Sequence, residues 1–204
     1  MQSDATNLTQ TKSPKLTQTD PNPENGARLI FLVLVEDTPQ SDMYTLDIQT
    51  GIATVLFETP DRENSASLSP DGTLIAYTSD KTGDLAIYVR SFADLGPEVQ
   101  VSDGVGRVPV WSRDGSRIFY RVLDGSFMAA EVRAEPRLEV LGRSLLFNGA
   151  PYWVGGEFTA YDVDPDGRFL LIRQRDPETE ASDSLRVIVN FSEMLKRLAP
   201  PGGR

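Results

Sequence analysis

Apolar residues cluster in short runs along the chain, and each run is closed by a turn-forming cluster. Leu29-Ile-Phe-Leu-Val-Leu-Val35 is the longest, too short to cross a bilayer and right for a strand buried on both faces. Leu74-Ile-Ala-Tyr77, Ile118-Phe-Tyr120 and Phe169-Leu-Leu-Ile172 each follow an Asp-Gly pair. Later strands are expected at Met43–Ile48, Leu85–Val89, Phe127–Val132 and Leu185–Val189, and fourth strands at Ala53–Phe57, Val99–Val101 and Leu145–Phe147. Helical spacing occurs near the end, where Phe191, Met194, Leu195 and Leu198 predict a short helix over 191–198.

The turns repeat. Ser69-Pro-Asp71-Gly72 returns as Ser112-Arg-Asp114-Gly115 and as Asp164-Pro-Asp166-Gly167, with a worn copy at Asn25-Gly26. The four glycines lie 46, 43 and 52 residues apart. Asn-Gly and Asp-Gly reach positive φ in a hairpin at little cost, and the period is that of a four-stranded propeller blade. The pattern predicts an all-β chain, a partial β-propeller of about four blades over 22–60, 61–103, 104–148 and 149–190. A polar lead fills 1–21 and a tail 199–204. A β-sandwich also has many short strands, but gives no reason for one turn motif at one point of a fixed period.

Ser69-Pro-Asp-Gly-Thr-Leu-Ile-Ala-Tyr77 followed by Ile87-Tyr-Val89 resembles the WD40-like PD40 repeat of TolB-type propellers. Tyr161–Ile172 with Val187-Ile-Val-Asn-Phe-Ser-Glu-Met-Leu-Lys-Arg-Leu198 is similar to the closing segment of bacterial serine/threonine kinases that carry such a propeller. The resemblance implies a binding or sensory module at the C-terminal end of a signalling protein. Accessory propellers of peptidases and a TolB-like periplasmic envelope protein are the other settings it allows. No kinase Gly-rich loop or His-Arg-Asp loop is present.

Composition narrows the chemistry. With no Cys and no His, disulfides, the usual zinc sites and His-dependent nucleophile pairs are excluded. No catalytic constellation is found, and the expectation is a non-enzyme without cofactor or metal. Asp162, Asp164 and Asp166 imitate the opening of a calcium loop, but position twelve is Arg173 rather than Glu, so the segment reads as a blade turn. A net charge of −10 argues against nucleic acid and anionic membranes. The first 27 residues hold no signal-peptide core. The chain as written reads as cytoplasmic, or as periplasmic if it is the tail of a membrane-spanning protein.

A protein or small ligand is expected on the loop face, where Arg107, Trp111, Tyr152, Trp153 and Glu157 are the candidate contacts. The alternative for Trp111 and Trp153 is packing between blades. Unclosed blade edges suggest self-association.

Overall fold

A computed structural model describes residues 28–34, 41–57, 59–150, 152, 159–164 and 166–172. The expected turn at Asn25-Gly26, the candidates Trp153 and Glu157, the strand at 185–189 and the helix at 191–198 lie outside the described residues. Within them every regular element is a strand.

Three strands, β1 (Arg28–Leu34), β2 (Ser41–Asp47) and β3 (Ala53–Phe57), form the first sheet in that order. The second sheet is β4 (Glu63–Leu68), β5 (Leu74–Ser79), β6 (Ala86–Ser91) and β7 (Val99–Gln100). The third repeats that plan with β8 (Arg107–Trp111), β9 (Arg117–Arg121), β10 (Phe127–Arg133) and β11 (Glu139–Phe147). Next come β12 (Tyr161–Val163) and β13 (Phe169–Leu171), paired with each other. Neighbouring strands within every sheet run antiparallel. These are small sheets resembling propeller blades.

The middle strands of the second and third sheets, β5, β6, β9 and β10, are largely buried on both faces, which is why they read as near-continuous apolar runs. Side-chain alternation splits each strand between two interfaces. Ile75, Tyr77, Ala86 and Tyr88 pack with Ile30, Leu32, Met43 and Phe57 of the first sheet. Ala76, Ile87 and Val89 point the other way, onto Trp111, Ile118, Tyr120 and Ala130 of the third. Phe119, Phe127 and Ala129 then meet Tyr161, with Phe147 and Phe169 against them.

Turn chemistry is the same in the second and third sheets. Gly72 and Gly115 donate to the carbonyls of Ser69 and Ser112, and their φ values are +71° and +70°. Ser69 and Ser112 hydroxyls donate to Asp71 and Asp114 at 2.6 Å and accept from the amides of Leu74 and Arg117 at 2.9 Å. Only the glycine takes positive φ; the aspartate keeps ordinary φ and serves as an acceptor. Asp164 replaces the serine in the third copy, its carboxylate accepting from the amides of Asp166 and Arg168. That hairpin is one residue tighter: Val163 pairs with Phe169, whereas Leu68 pairs with Ile75 and Trp111 with Ile118.

The first strands of the second and third sheets escape a reading by hydrophobic period. The sequence of β4 is Glu-Asn-Ser-Ala-Ser-Leu, yet all six residues are buried. Small polar side chains are what fit where successive sheets converge on their first strands.

Candidate functional site

Strands β4 and β8 start in the same irregular way. Asn64 pairs with Thr78 and Arg107 with Arg121; each ladder then slips, with two residues opposing one, before Ser67–Ala76 and Val110–Phe119 restore it. Both slips hold a non-glycine residue at positive φ, Ser65 at 50° and Val108 at 51°. A valine in that region is strained by its branched Cβ, and surrounding structure must hold it there. Here Tyr161, from the next inner strand, donates its buried hydroxyl to the Val108 carbonyl at 2.7 Å, shared with the Phe119 carbonyl at 3.0 Å. Burial pushes the Tyr161 phenol well above its ordinary pKa, so it remains a donor. Pro109, fully buried, is tolerated inside a sheet because the bulge asks for no ladder amide there.

A bulge re-aims the side chains beside it, and at this end polar groups are concentrated. Glu63 Oε2, Asn64 Nδ2, Thr78 Oγ1 and Arg107 Nε are buried atoms without a hydrogen-bond partner among the described residues. Three of them lie on the two equivalent rungs, Asn64–Thr78 and Arg107–Arg121, and the fourth is the neighbour of Asn64. Buried polar atoms of native proteins are nearly always satisfied, so a cluster of exceptions marks a place where a further partner belongs.

The two rungs differ in charge. Glu63 is 4% exposed. Its Oε1 accepts from the Thr59 hydroxyl at 2.6 Å, and its backbone carbonyl accepts from the Ser41 hydroxyl. Burial pushes its carboxyl up to about 6, with Asp61, Asp80 and Asp42 adding to the rise. Asp80 accepts from the Arg62 amide at 2.9 Å. Lys81, next along, is committed elsewhere: its ammonium pairs with Glu98 and lies 3.6 Å from the centre of the Tyr88 ring.

The other rung is basic. Arg121 is 3% exposed, and burial lowers its pKa. Its guanidinium stacks 4.8 Å from the Phe127 ring centre and donates to the Gly125 and Gly149 carbonyls. Arg107 faces it across the ladder. Tyr152, half-buried, donates its backbone amide to the same Gly149 carbonyl at 2.9 Å. Arg107 and Tyr152 are thus brought to one place, with Arg121 between them. Trp111 is at the other end of β8, 6% exposed, its indole N–H donating to the Ser67 carbonyl at 3.0 Å. It packs between the second and third sheets.

Glu63, Asn64, Thr78 and Arg121 escape the sequence reading because they lie inside strands. Their signal is positional: Thr78 and Arg121 each stand nine residues after the first serine of the repeated turn. The arrangement offers dry donors and acceptors for a polar ligand group. Among the described residues no cluster of three or more carboxylates is placed to hold a metal ion.

No protein-family model matches the chain. Among solved structures it is similar to a protein of Agrobacterium tumefaciens designated as TolB, at 19% identity and TM-score 0.52, over 80% of this chain and 59% of that one. TolB of Acinetobacter baumannii matches at 17% identity and TM-score 0.47, over 76% of this chain and 42% of that one. The propeller domain of the Trilobed protease of Pyrococcus furiosus matches at 14% and 0.47, over 68% and 44%. This chain spans less than two thirds of the length of each. The first likeness establishes the fold alone: the successive sheets are those of a β-propeller domain with TolB-like structural similarity.

Proposed function

We propose that the chain is a non-catalytic propeller-type binding module. Its ligand, a protein segment or a small molecule, docks where β4 and β8 begin, on the partly exposed Arg107 and Tyr152, with the buried polar groups of Glu63, Asn64, Thr78 and Arg121 behind them. The observation that carries this reading is the coincidence of buried, unpartnered polar atoms with equivalent rungs of two successive sheets. The setting we propose is the sensory end of a signalling protein, on the resemblance of Val187–Leu198 to the tails of kinase-linked propellers.

A phage-displayed heptapeptide library panned on the immobilised chain tests the site. Enriched peptides are expected to lose binding by about tenfold or more in Arg107→Met and Asn64→Ala, a loss typical of a truncated charged or polar hydrogen-bonding group. Circular-dichroism melts of both variants are expected to stay close to the parent. Enrichment indifferent to both substitutions would rule the site out.

A further inference from the structure

At the opposite end of β8 a second feature stands apart from those rungs. An open cleft of about 420 Å³ lies between the turn after β8 and the turn after β12. Phe119 and Val163 provide its apolar lining, and Arg113, Arg117, Asp114 and Asp166 are among its polar walls. The volume lies in the range of small-molecule sites.

The charges of this cleft are unequally committed. Asp114 accepts from the Ser112 hydroxyl, the Ser116 hydroxyl and the Ser116 amide, and these bonds hold its pKa at about 2. Asp164 and Asp166 are paired with Arg168 of their own turn. Arg113 and Arg117, by contrast, make no side-chain hydrogen bond or ion pair with any described residue. The lining therefore holds two available guanidinium groups beside an apolar surface, while its acids are already satisfied.

Comparison within the repeat shows that the turn does not need these arginines. In the preceding copy the same places are Pro70 and Leu74, and the hydrogen bonds of the turn are the same. The corresponding cleft one seam earlier, about 470 Å³, is lined by Pro70 and Leu74 and has Arg113 as its one basic group. Two arginines on one cleft are thus an addition to the scaffold, confined among the described seams to this one.

We propose that this cleft binds a small organic carboxylate. Its apolar body rests on Phe119 and Val163, and its oxygens are taken by Arg113 and Arg117, whose planar forks suit a carboxylate. The ionised aspartates of the wall disfavour a dianion, which selects carboxylate over phosphate.

Titration of the chain with 2-naphthoate, followed by calorimetry and by the amide resonances of Phe119 and Val163, tests this. Neutral 2-naphthamide and dianionic 2-naphthyl phosphate are the comparison probes. Arg113→Pro/Arg117→Leu, which installs the residues of the preceding turn, and Arg113→Ala/Arg117→Ala are the variants. Saturable naphthoate binding is expected, weaker by about tenfold or more in both variants and for both comparison probes. The proposal is overturned by no saturable binding up to the order of 10 mM. It is equally overturned by naphthamide or naphthyl phosphate binding as tightly as naphthoate, or by naphthoate binding that survives both double substitutions.

Discussion

Glu63 keeps a carboxyl group where water does not reach it, and that has a consequence in pH. Its folded value of about 6 stands above the ordinary 4.5, so the folded chain holds this proton more tightly than the unfolded one. The contribution to stability is complete below pH 4.5 and is lost as pH rises through 6. A displacement of that size corresponds to about 2 kcal/mol. Urea unfolding is expected to show a falling midpoint across this window; in Glu63→Gln the fall disappears and stability at pH 7.5 rises by about 1–2 kcal/mol. An unchanged pH profile in the variant would contradict the burial argument. The carboxyls of Asp71, Asp114 and Asp164 are shifted the other way, by hydrogen bonds within their turns, so their effect falls in a separate, more acidic window. Backbone approach is the other residue-scale constraint. A Cβ on Gly149 would fall on the Gly125 carbonyl oxygen and within 2.8 Å of the Phe127 ring, whereas one on Gly142 meets nothing within 4 Å. Gly149→Ala is expected to cost about 2–3 kcal/mol, and Gly142→Ala to stay within about 0.5 kcal/mol, by chemical denaturation.

Elements divide sharply in how far their sequence betrays them. Strands β5, β6, β9 and β10 are apolar because each faces a neighbouring sheet on both sides, and their runs are plain to read. The turns are plain as well, since Ser, Asp and Gly there act locally: one hydroxyl closes two hydrogen bonds and the glycine supplies positive φ. Ser112→Ala, in a half-buried turn whose hydroxyl bonds are local, is therefore expected to cost about 1 kcal/mol, and Gly115→Ala about 1–2 kcal/mol, measured by thermal and urea unfolding. Equal, negligible costs would mean that the turn is held by the strands rather than by its own chemistry. Strand β4 was illegible because small polar residues show no hydrophobic period. Strand β11 extends over Glu139–Phe147, well beyond the expected Leu145–Phe147: its leading residues, Glu-Val-Leu-Gly-Arg-Ser, show no apolar period, since Val140 packs on the core while Leu141 is exposed. The bulge at Ser65 has no local signature, and that at Val108 has only Pro109 beside it. They arise from how the two sheets meet, and with them the rungs of the candidate site.

Across the molecule, stability resides in the seams between sheets. Trp111 and Tyr161 each reach over a seam to a backbone carbonyl of the neighbouring sheet. Tyr161→Phe keeps the ring against Phe127 and Phe169 but leaves the Val108 and Phe119 carbonyls without their donor. A loss of about 1–2 kcal/mol is expected, with amide exchange accelerated in β8 and β9 more than in β5 and β6; uniform acceleration would mean that the seam is not a separate element of stability. Sequence alone accounts for the all-β character, the recurring turn and the strands with a strong apolar period, because those features are set by residues close together in the chain. It also removed histidine- and cysteine-based chemistry, which depends on composition alone. Packing in three dimensions settles which polar residues are buried, where the bulges fall, and that Arg107 faces Arg121 while Arg113 and Arg117 share a cleft with Val163. Those relations join residues from separate strands or sheets, and the packing that creates them is absent from any one segment of the chain.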